Sequence, residues 1–153
     1  MISDQEIIPP LADTVRFAIT DALRRYCMAV DHYDVIAFRN LFAPDARVDF
    51  GPRFQGQPEG FMDSLLAARE QTLQMRHEMA DITIHFVPFS GIATSESIVL
   101  AALLRRTYAG LEHRRVRGTY EDQWIEHNGR WLLQHHRYRQ LEATSTITQE
   151  IYL

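Results

Sequence analysis

Cysteine is nearly absent from this chain of 153 residues, which contains Cys27 alone. One cysteine cannot form an internal disulfide bond or a cysteine-based zinc site, so both kinds of stabilised small fold are excluded. A paired redox motif is excluded for the same reason. A single thiol is typical of a protein from a reducing compartment.

Long apolar runs are also missing. The longest uncharged apolar stretch, Ser97 to Leu104, is closed by Arg105 and Arg106. Crossing a bilayer takes about 20 apolar residues, so no membrane span is predicted. The first six residues are acidic and lack the basic start and apolar centre of a secretory signal. Together these features predict a soluble, cytoplasmic protein.

Basic residues are not in excess: 16 Lys and Arg stand against 20 Asp and Glu, which gives a formal net charge of −4. Nucleic-acid binders usually carry a net basic domain, so no nucleic-acid partner is expected. With 46% hydrophobic and 24% charged residues, the chain is neither disordered nor collagen-like. Its length fits one domain over residues 1–153, with an N-terminal extension at 1–12 and a C-terminal tail at 141–153.

Helical periodicity dominates the first half of the chain. Apolar residues recur every three or four positions after Pro9-Pro10, which predicts an amphipathic helix over residues 11 to 33. These positions are Val15, Ile19, Ala22, Leu23, Tyr26, Val30 and Tyr33. From His77 onward the period changes to two, which predicts strands, and Asn128-Gly129 is typical of a hairpin loop.

The order of the elements predicts the fold class. We predict helices at 11–33, 35–42 and 58–75 and strands at 47–50, 77–87, 93–108, 115–126 and 130–140. Helices followed by successive antiparallel strands are typical of an α+β domain with its helices on one side of the sheet. Because long strands twist and curl, we expect a cone-shaped, curved antiparallel sheet with three N-terminal helices on its concave face. The mouth of such a cone can hold a small ligand.

Short motifs run through the chain between about residues 13 and 140. They are Tyr26-Cys27-Met28-Ala29-Val30-Asp31 with Tyr33-Asp34, Leu41-Phe42-Ala43-Pro44-Asp45-Ala46, Met75-Arg76-His77, Gly118-Thr119-Tyr120-Glu121-Asp122, and Gly129-Arg130-Trp131 with Arg137. In order and spacing they resemble the SnoaL-like branch of the nuclear-transport-factor-2-like superfamily. The resemblance implies a cystatin-like fold that usually forms oligomers through the sheet. It hosts several enzyme classes and non-catalytic relatives, so the fold does not fix the function.

The resemblance also implies site residues. In the branch that contains scytalone dehydratase and a bile-acid dehydratase, a helix aspartate and a strand histidine form a catalytic dyad, and Asp31 and His77 occupy the matching places. Tyr26 matches a functional tyrosine of the bile-acid enzyme. The implied protein is a cofactor-independent lyase or isomerase acting on a small hydrophobic, cyclic or aromatic substrate. His77 would be base and then acid, Asp31 would orient it, and Tyr26 would hold a substrate oxygen. A homodimer or homotrimer through the sheet is expected.

The residues by themselves leave alternatives open. An imidazole suits acid–base chemistry near neutral pH, but a strand histidine can also fill a sheet edge. Asp31 lies about 140° around the helix from Tyr26, outside the apolar stripe, which favours a solvated carboxylate. Tyr26 also fits a core tyrosine with one polar partner. Tyr120 and Trp124 share one strand face and are candidates for the aromatic wall of a substrate pocket or for core packing.

The placement of the histidines and of the basic residues bears on metal and anion sites. His135 and His136 are adjacent in a strand and should face opposite sides, so no metal site is expected. Basic residues at 105–106 and 113–117 flank one hairpin. They could contact an anion, a partner or RNA, or form a solvated face.

Two other functions compete with an enzyme. Beta subunits of ring-hydroxylating dioxygenases look similar and end in an apolar tail, as residues 147–153 do here, yet they only scaffold a larger subunit. A ligand-binding module would keep the pocket while Asp31 and His77 do not touch.

Overall fold

The structure is a computed structural model and describes residues 11–149. The predicted extension up to residue 10 and the end of the predicted tail, 150–153, lie outside the described residues. The elements are helix α1 (Leu11–Asp31), helix α2 (Val35–Arg39), strand β1 (Phe42–Asp49), a 3-10 turn (Gly51–Arg53), strand β2 (Gln55–Gly56), helix α3 (Pro58–Ala67), a second 3-10 turn (Arg69–Gln71), and strands β3 (Thr72–Val87), β4 (Ile92–Thr107), β5 (Gly110–His127) and β6 (Arg130–Thr148).

One curved sheet holds all six strands in the order β2-β1-β6-β5-β4-β3. The α+β class, the curved sheet and the three N-terminal helices confirm the predicted architecture. The prediction of a wholly antiparallel sheet is wrong, because β1 runs parallel to β6. These two strands are joined by most of the chain rather than by a hairpin, so no local turn fixes their relative direction.

Helix α1 buries one face against the sheet, as its apolar spacing predicts. Its buried residues are Val15, Ile19, Ala22, Leu23, Tyr26, Cys27, Ala29 and Val30. The helix ends at Asp31, two residues before the predicted end, because Tyr33 adopts a left-handed φ of 55°. The N–H of Asp34 donates to the carbonyl of Ala29 at 2.9 Å, which closes the last turn. Asp31 therefore stands where the helix stops.

Two predicted helices are shorter than expected. Helix α2 stops at Arg39, and Phe42 already belongs to β1, whose pairing with β6 shifts register between Phe42 and Arg47. Pro44 lies in this irregularity, where a missing ladder N–H costs little. Helix α3 stops at Ala67 rather than near residue 75, because residues from Thr72 onward pair with β4.

The last strand is longer than predicted. Strand β6 continues to Thr148, which pairs with Leu111 of β5. Residues 141–148 of the predicted C-terminal tail are therefore part of the sheet.

Alternate residues of β4 and β5 point into the core on the concave side. Trp124 is fully buried there, and its Nε1 donates to Ser95 Oγ at 2.8 Å. Within residues 11–149, no helix has both the length and the hydropathy that a membrane crossing needs.

Candidate active site

Asp31 and His77 meet although 46 positions separate them. Asp31 Oδ1 lies 2.6 Å from His77 Nδ1, and Asp31 Oδ2 accepts the backbone N–H of His77 at 2.9 Å. The carboxylate therefore fixes both the strand position and the ring of the histidine. The two side chains are 13% and 15% exposed, so they are shielded from solvent without being sealed off.

This contact selects the form of the imidazole. A carboxylate accepts hydrogen bonds and does not donate them, so Nδ1 carries hydrogen in the bond to Asp31. In the neutral ring, Nε2 is then left with a free lone pair. His77 pairs with Ala101 of β4, and both residues line an internal cavity. The free nitrogen belongs to a ring that forms part of that cavity wall.

The cavity has a volume of about 100 Å³ and lies between the helices and the concave face of the sheet. Its lining comprises Tyr26, Val30, Phe50, Arg53, Phe61, Leu65, Met75, His77, Val99, Ala101, Leu103, Arg105, Arg114, Val116, Tyr120 and Tyr138. Two of the predicted pocket residues, Tyr26 and Tyr120, are therefore in the wall. Trp124 is not among the lining residues: it is fully buried and donates to Ser95, which fits the alternative of core packing.

Tyr26 and Tyr120 meet in the cavity wall with ring centroids 5.6 Å apart in a T-shaped arrangement. Burial raises the pKa of both phenols well above the ordinary value of 10.0, since ionised oxygen would lose its water. Both groups are therefore neutral at physiological pH. A neutral phenol can donate a hydrogen bond to a substrate oxygen, which is the chemistry predicted for Tyr26.

A second histidine–aspartate pair was missed at the sequence level. His136 Nδ1 lies 2.5 Å from Asp122 Oδ1, and both side chains are fully buried. The centroid of the His136 ring lies 4.6 Å from that of Tyr26 and 4.4 Å from that of Tyr120, so His136 packs against both tyrosine rings. The alternation of residues along β5 is the sequence signal for this pair, because it places Asp122 on the same strand face as Tyr120 and Trp124.

Metal-type clusters are not found in the part of the chain that is described: no three or more His, Cys, Asp and Glu side chains converge there. Three arginines were also missed as cavity residues. Arg53, Arg105 and Arg114 contribute to the same lining as His77. The arrangement can thus combine a base, hydroxyl donors and cationic groups around one small apolar space.

Comparisons with known proteins agree with this architecture. A candidate scytalone dehydratase from Novosphingobium aromaticivorans is 20% identical, with a TM-score of 0.78 over 90% of this chain and 91% of that one. A hexachlorocyclohexane dehydrochlorinase, LinA Type2, is 15% identical, with a TM-score of 0.79 over 93% and 95%. A candidate aromatic ring hydroxylase from Novosphingobium aromaticivorans is 19% identical, with a TM-score of 0.72 over 91% and 96%. At these identities the likeness shows the fold.

Sequence comparison identifies the family. No curated protein matches the chain. The SnoaL-like domain, in contrast, matches residues 14–137, which is most of the chain and includes Tyr26, Asp31, His77 and Tyr120. This protein therefore belongs to the SnoaL-like domain family, within the SnoaL branch of the nuclear-transport-factor-2-like superfamily.

Proposed function

We propose that the protein is a cofactor-independent lyase or isomerase of the dehydratase type, with His77 as its acid–base residue. The observation that carries the proposal is the 2.6 Å contact of Asp31 with His77 Nδ1, at a ring that lines an apolar cavity. A ligand-binding module in which these two residues do not touch is disfavoured by this distance.

The first step is proton removal from a substrate carbon next to an activating carbonyl. His77 Nε2 takes the proton, and the ring becomes an imidazolium whose charge Asp31 stabilises through Nδ1. The electron pair left on carbon moves toward the carbonyl, where Tyr26 can donate a hydrogen bond to the growing oxyanion.

The second step returns the proton. In an elimination, the imidazolium gives its Nε2 proton to a leaving hydroxyl, the electron pair forms a carbon–carbon double bond, and water departs. In an isomerisation, the same proton goes to another carbon. Either way His77 ends neutral, so the cycle balances without an oxidant, a reductant or a second substrate.

Two features support this chemistry. The lining is largely apolar, so charge that develops in the cavity meets fixed dipoles rather than bulk water. Two of the solved structures similar in fold have names that describe eliminations, a dehydratase and a dehydrochlorinase. A role as a non-catalytic scaffold is the alternative, and co-purification with a larger iron-containing chain would favour it.

Solvent deuterium incorporation tests the proposal without requiring the natural substrate. Cyclic β-hydroxy ketones are incubated with the protein in D₂O, and exchange at the α-carbon and loss of water are followed by proton NMR. The wild type is expected to accelerate exchange for at least one member, and His77→Ala to lower that rate by about 10²- to 10⁴-fold.

A matched control comes from the same strand. His85 is an exposed histidine of β3 that does not line the cavity, so His85→Ala should leave the rate unchanged. Equal rates for His77→Ala and the wild type, or no exchange with any member of the panel, would contradict the proposal.

A further inference from the structure

The charged side chains in the largely apolar lining of the cavity that contains His77 are arginines, although the whole chain is acidic. Arg53, Arg105 and Arg114 line it, and among the described residues no aspartate or glutamate does. The formal net charge of the chain is −4. Arg105 and Arg114 are partly buried, whereas Arg53 is exposed. Holding a partly buried guanidinium group beside apolar side chains costs free energy unless it has a partner, so the arginines here call for an explanation.

Strand alternation places two of these arginines. Arg105 of β4 lies on the same face as Ala101, and Arg114 of β5 lies on the same face as Val116, which are both cavity residues. Arg117 of β5 lies on the opposite face, where it forms an ion pair with Glu142 at 3.9 Å. The basic hairpin predicted from the sequence is therefore divided between the inside and the outside of the sheet.

The charge of Arg105 already has a partner. Its Nε and Nη2 donate to Glu112 Oε2 at 3.1 and 2.8 Å, and Glu112 Oε1 accepts from Ser145 at 2.5 Å. Both oxygens of this carboxylate are thus engaged. The ion pair with Glu112 therefore fixes Arg105 in the wall, and Arg105 adds little net charge there.

The charges of Arg53 and Arg114 are not balanced in this way. Among residues 11–149, neither lies within ion-pair distance of a carboxylate, and Arg114 Nη2 donates to the neutral Gln140 Oε1 at 3.4 Å. The charge of Arg114 acts at longer range on Glu112, where it is the last of the causes that lower the pKa of that carboxyl. Both cations act on the same phenol: burial raises the pKa of Tyr138, and the charges of Arg53 and Arg114 oppose that rise. Arg53, Arg114 and Tyr138 also line the same cavity, which places both guanidinium groups at one small space.

Arg114 stands where the cavity meets a wider outer groove. It lines both the inner space of about 100 Å³ and a groove of about 570 Å³ to which Asp31 and Met75 also contribute. A closed cavity of about 150 Å³ can take up benzene, so the inner space is of the order of a single ring. A substituent on such a ring would reach the guanidinium group at the boundary.

We infer that this cavity binds an amphipathic acid: an apolar ring in the inner space, and one carboxylate held by Arg114 and Arg53. The planar guanidinium fork matches a carboxylate with two parallel hydrogen bonds. The preference for binding an acid does not depend on catalysis by His77. Only the further statement that this acid is the substrate of His77 rests on the proposed function. The sequence predicts a hydrophobic substrate, and this inference adds that the substrate carries an anionic group.

NMR titration of the full chain with benzoate and with benzamide tests the preference. The two probes share ring and shape and differ in charge. Benzoate is expected to bind at least about tenfold more tightly, and the difference should shrink at high salt. Arg114→Gln should abolish most of the difference in affinity between benzoate and benzamide, whereas Arg117→Gln, on the opposite face of the sheet, should leave this difference unchanged. Arg53→Gln, in a different element, should also weaken benzoate binding, and it covers the case in which Arg114→Gln fails to fold.

Equal binding of the two probes to the wild type would overturn the inference, as would unchanged discrimination in both cavity variants. Benzenesulfonate serves as a further arm: binding as tight as that of benzoate would show a general anion site and contradict the carboxylate assignment. The two proposals fail separately. Exchange of neutral ketones that depends on His77 without any preference for benzoate refutes only the acid site, whereas a clear preference without any exchange refutes only the catalysis.

Discussion

Asp31 is the residue on which the candidate site depends, because its carboxylate contacts both the backbone N–H and the ring of His77. The helical spacing predicts a solvated carboxylate outside the apolar stripe. The resemblance to relatives predicts a partner for His77, and the structure places the two side chains in contact. Spacing describes the faces of α1 only. It carries no information about β3, which supplies the histidine 46 positions later.

Cys27, the one thiol, is predicted to be inert in the folded protein. Burial, and secondly the negative charge of Asp31, raise the pKa of this thiol to about 12. At pH 8 the reactive thiolate is then roughly 10⁻⁴ of the total. Labelling with a thiol reagent should be at least about 100-fold slower in buffer than in denaturant, and rapid labelling of the folded chain would contradict the assignment.

At the scale of elements, the long periodic segments were predictable and the short connections were not. Helix α1 and strand β4 lie close to their predicted ranges because each keeps one period over many residues. The apolar spacing of α3 continues past its end to Leu73, but pairing with β4 takes these residues into β3. Nor could local sequence predict the parallel contact of β1 with β6.

Close packing of β5 on β6 gives a prediction for one glycine. A Cβ at Gly118 would lie 2.4 Å from Tyr138 Cε2 and 2.7 Å from the carbonyl oxygen of Arg139. Backbone cannot move aside as a flexible side chain can, so Gly118→Ala should lower the free energy of unfolding by about 1–3 kcal/mol. Urea denaturation measures the change.

The neighbouring Thr119 provides the control for this variant, because it lies on the other face of β5. Thr119→Ala should alter stability by no more than about 0.5 kcal/mol. A Gly118→Ala protein as stable as the wild type would show that the two strands are less tightly packed than the distances indicate.

For the whole molecule, the buried Asp122–His136 pair links stability to pH. Burial raises the pKa of the Asp122 carboxyl above its ordinary value of 3.8, although the charge of His136 opposes this shift. The native state therefore holds the proton more tightly than the unfolded chain does. The stabilisation that the protonated Asp122 carboxyl gives the folded state is fully present below the pKa of this group in the unfolded chain. It is lost as pH rises through the pKa of this group in the folded protein.

Asp122→Asn should remove this dependence, since an amide of the same shape stays neutral. Relative to that variant, the wild type should lose stability as pH rises from about 4 toward neutrality, measured by urea unfolding at several pH values. Asp63→Asn, at an exposed position, should show the same dependence of the free energy of unfolding on pH as the wild type. A difference between Asp122→Asn and the wild type that does not change with pH would contradict the expected burial effect.

The whole-molecule predictions of a cytoplasmic location and of a dimer or trimer through the sheet stay predictions. The sequence did indicate the family correctly, since the SnoaL-like domain covers residues 14–137. It did not reveal that an acidic chain collects arginines inside its cavity, because that depends on which face of each strand turns inward.

The tautomer of His77 tests the central claim most directly. Long-range ¹H–¹⁵N correlation of the histidine rings, with His77→Ala to assign the signal, reports which ring nitrogen carries hydrogen. The account predicts hydrogen on Nδ1 and a free Nε2 in the neutral ring, with this preference weakened in Asp31→Asn. Hydrogen on Nε2 in the wild type would leave no free ring nitrogen to act as the base and would contradict the account.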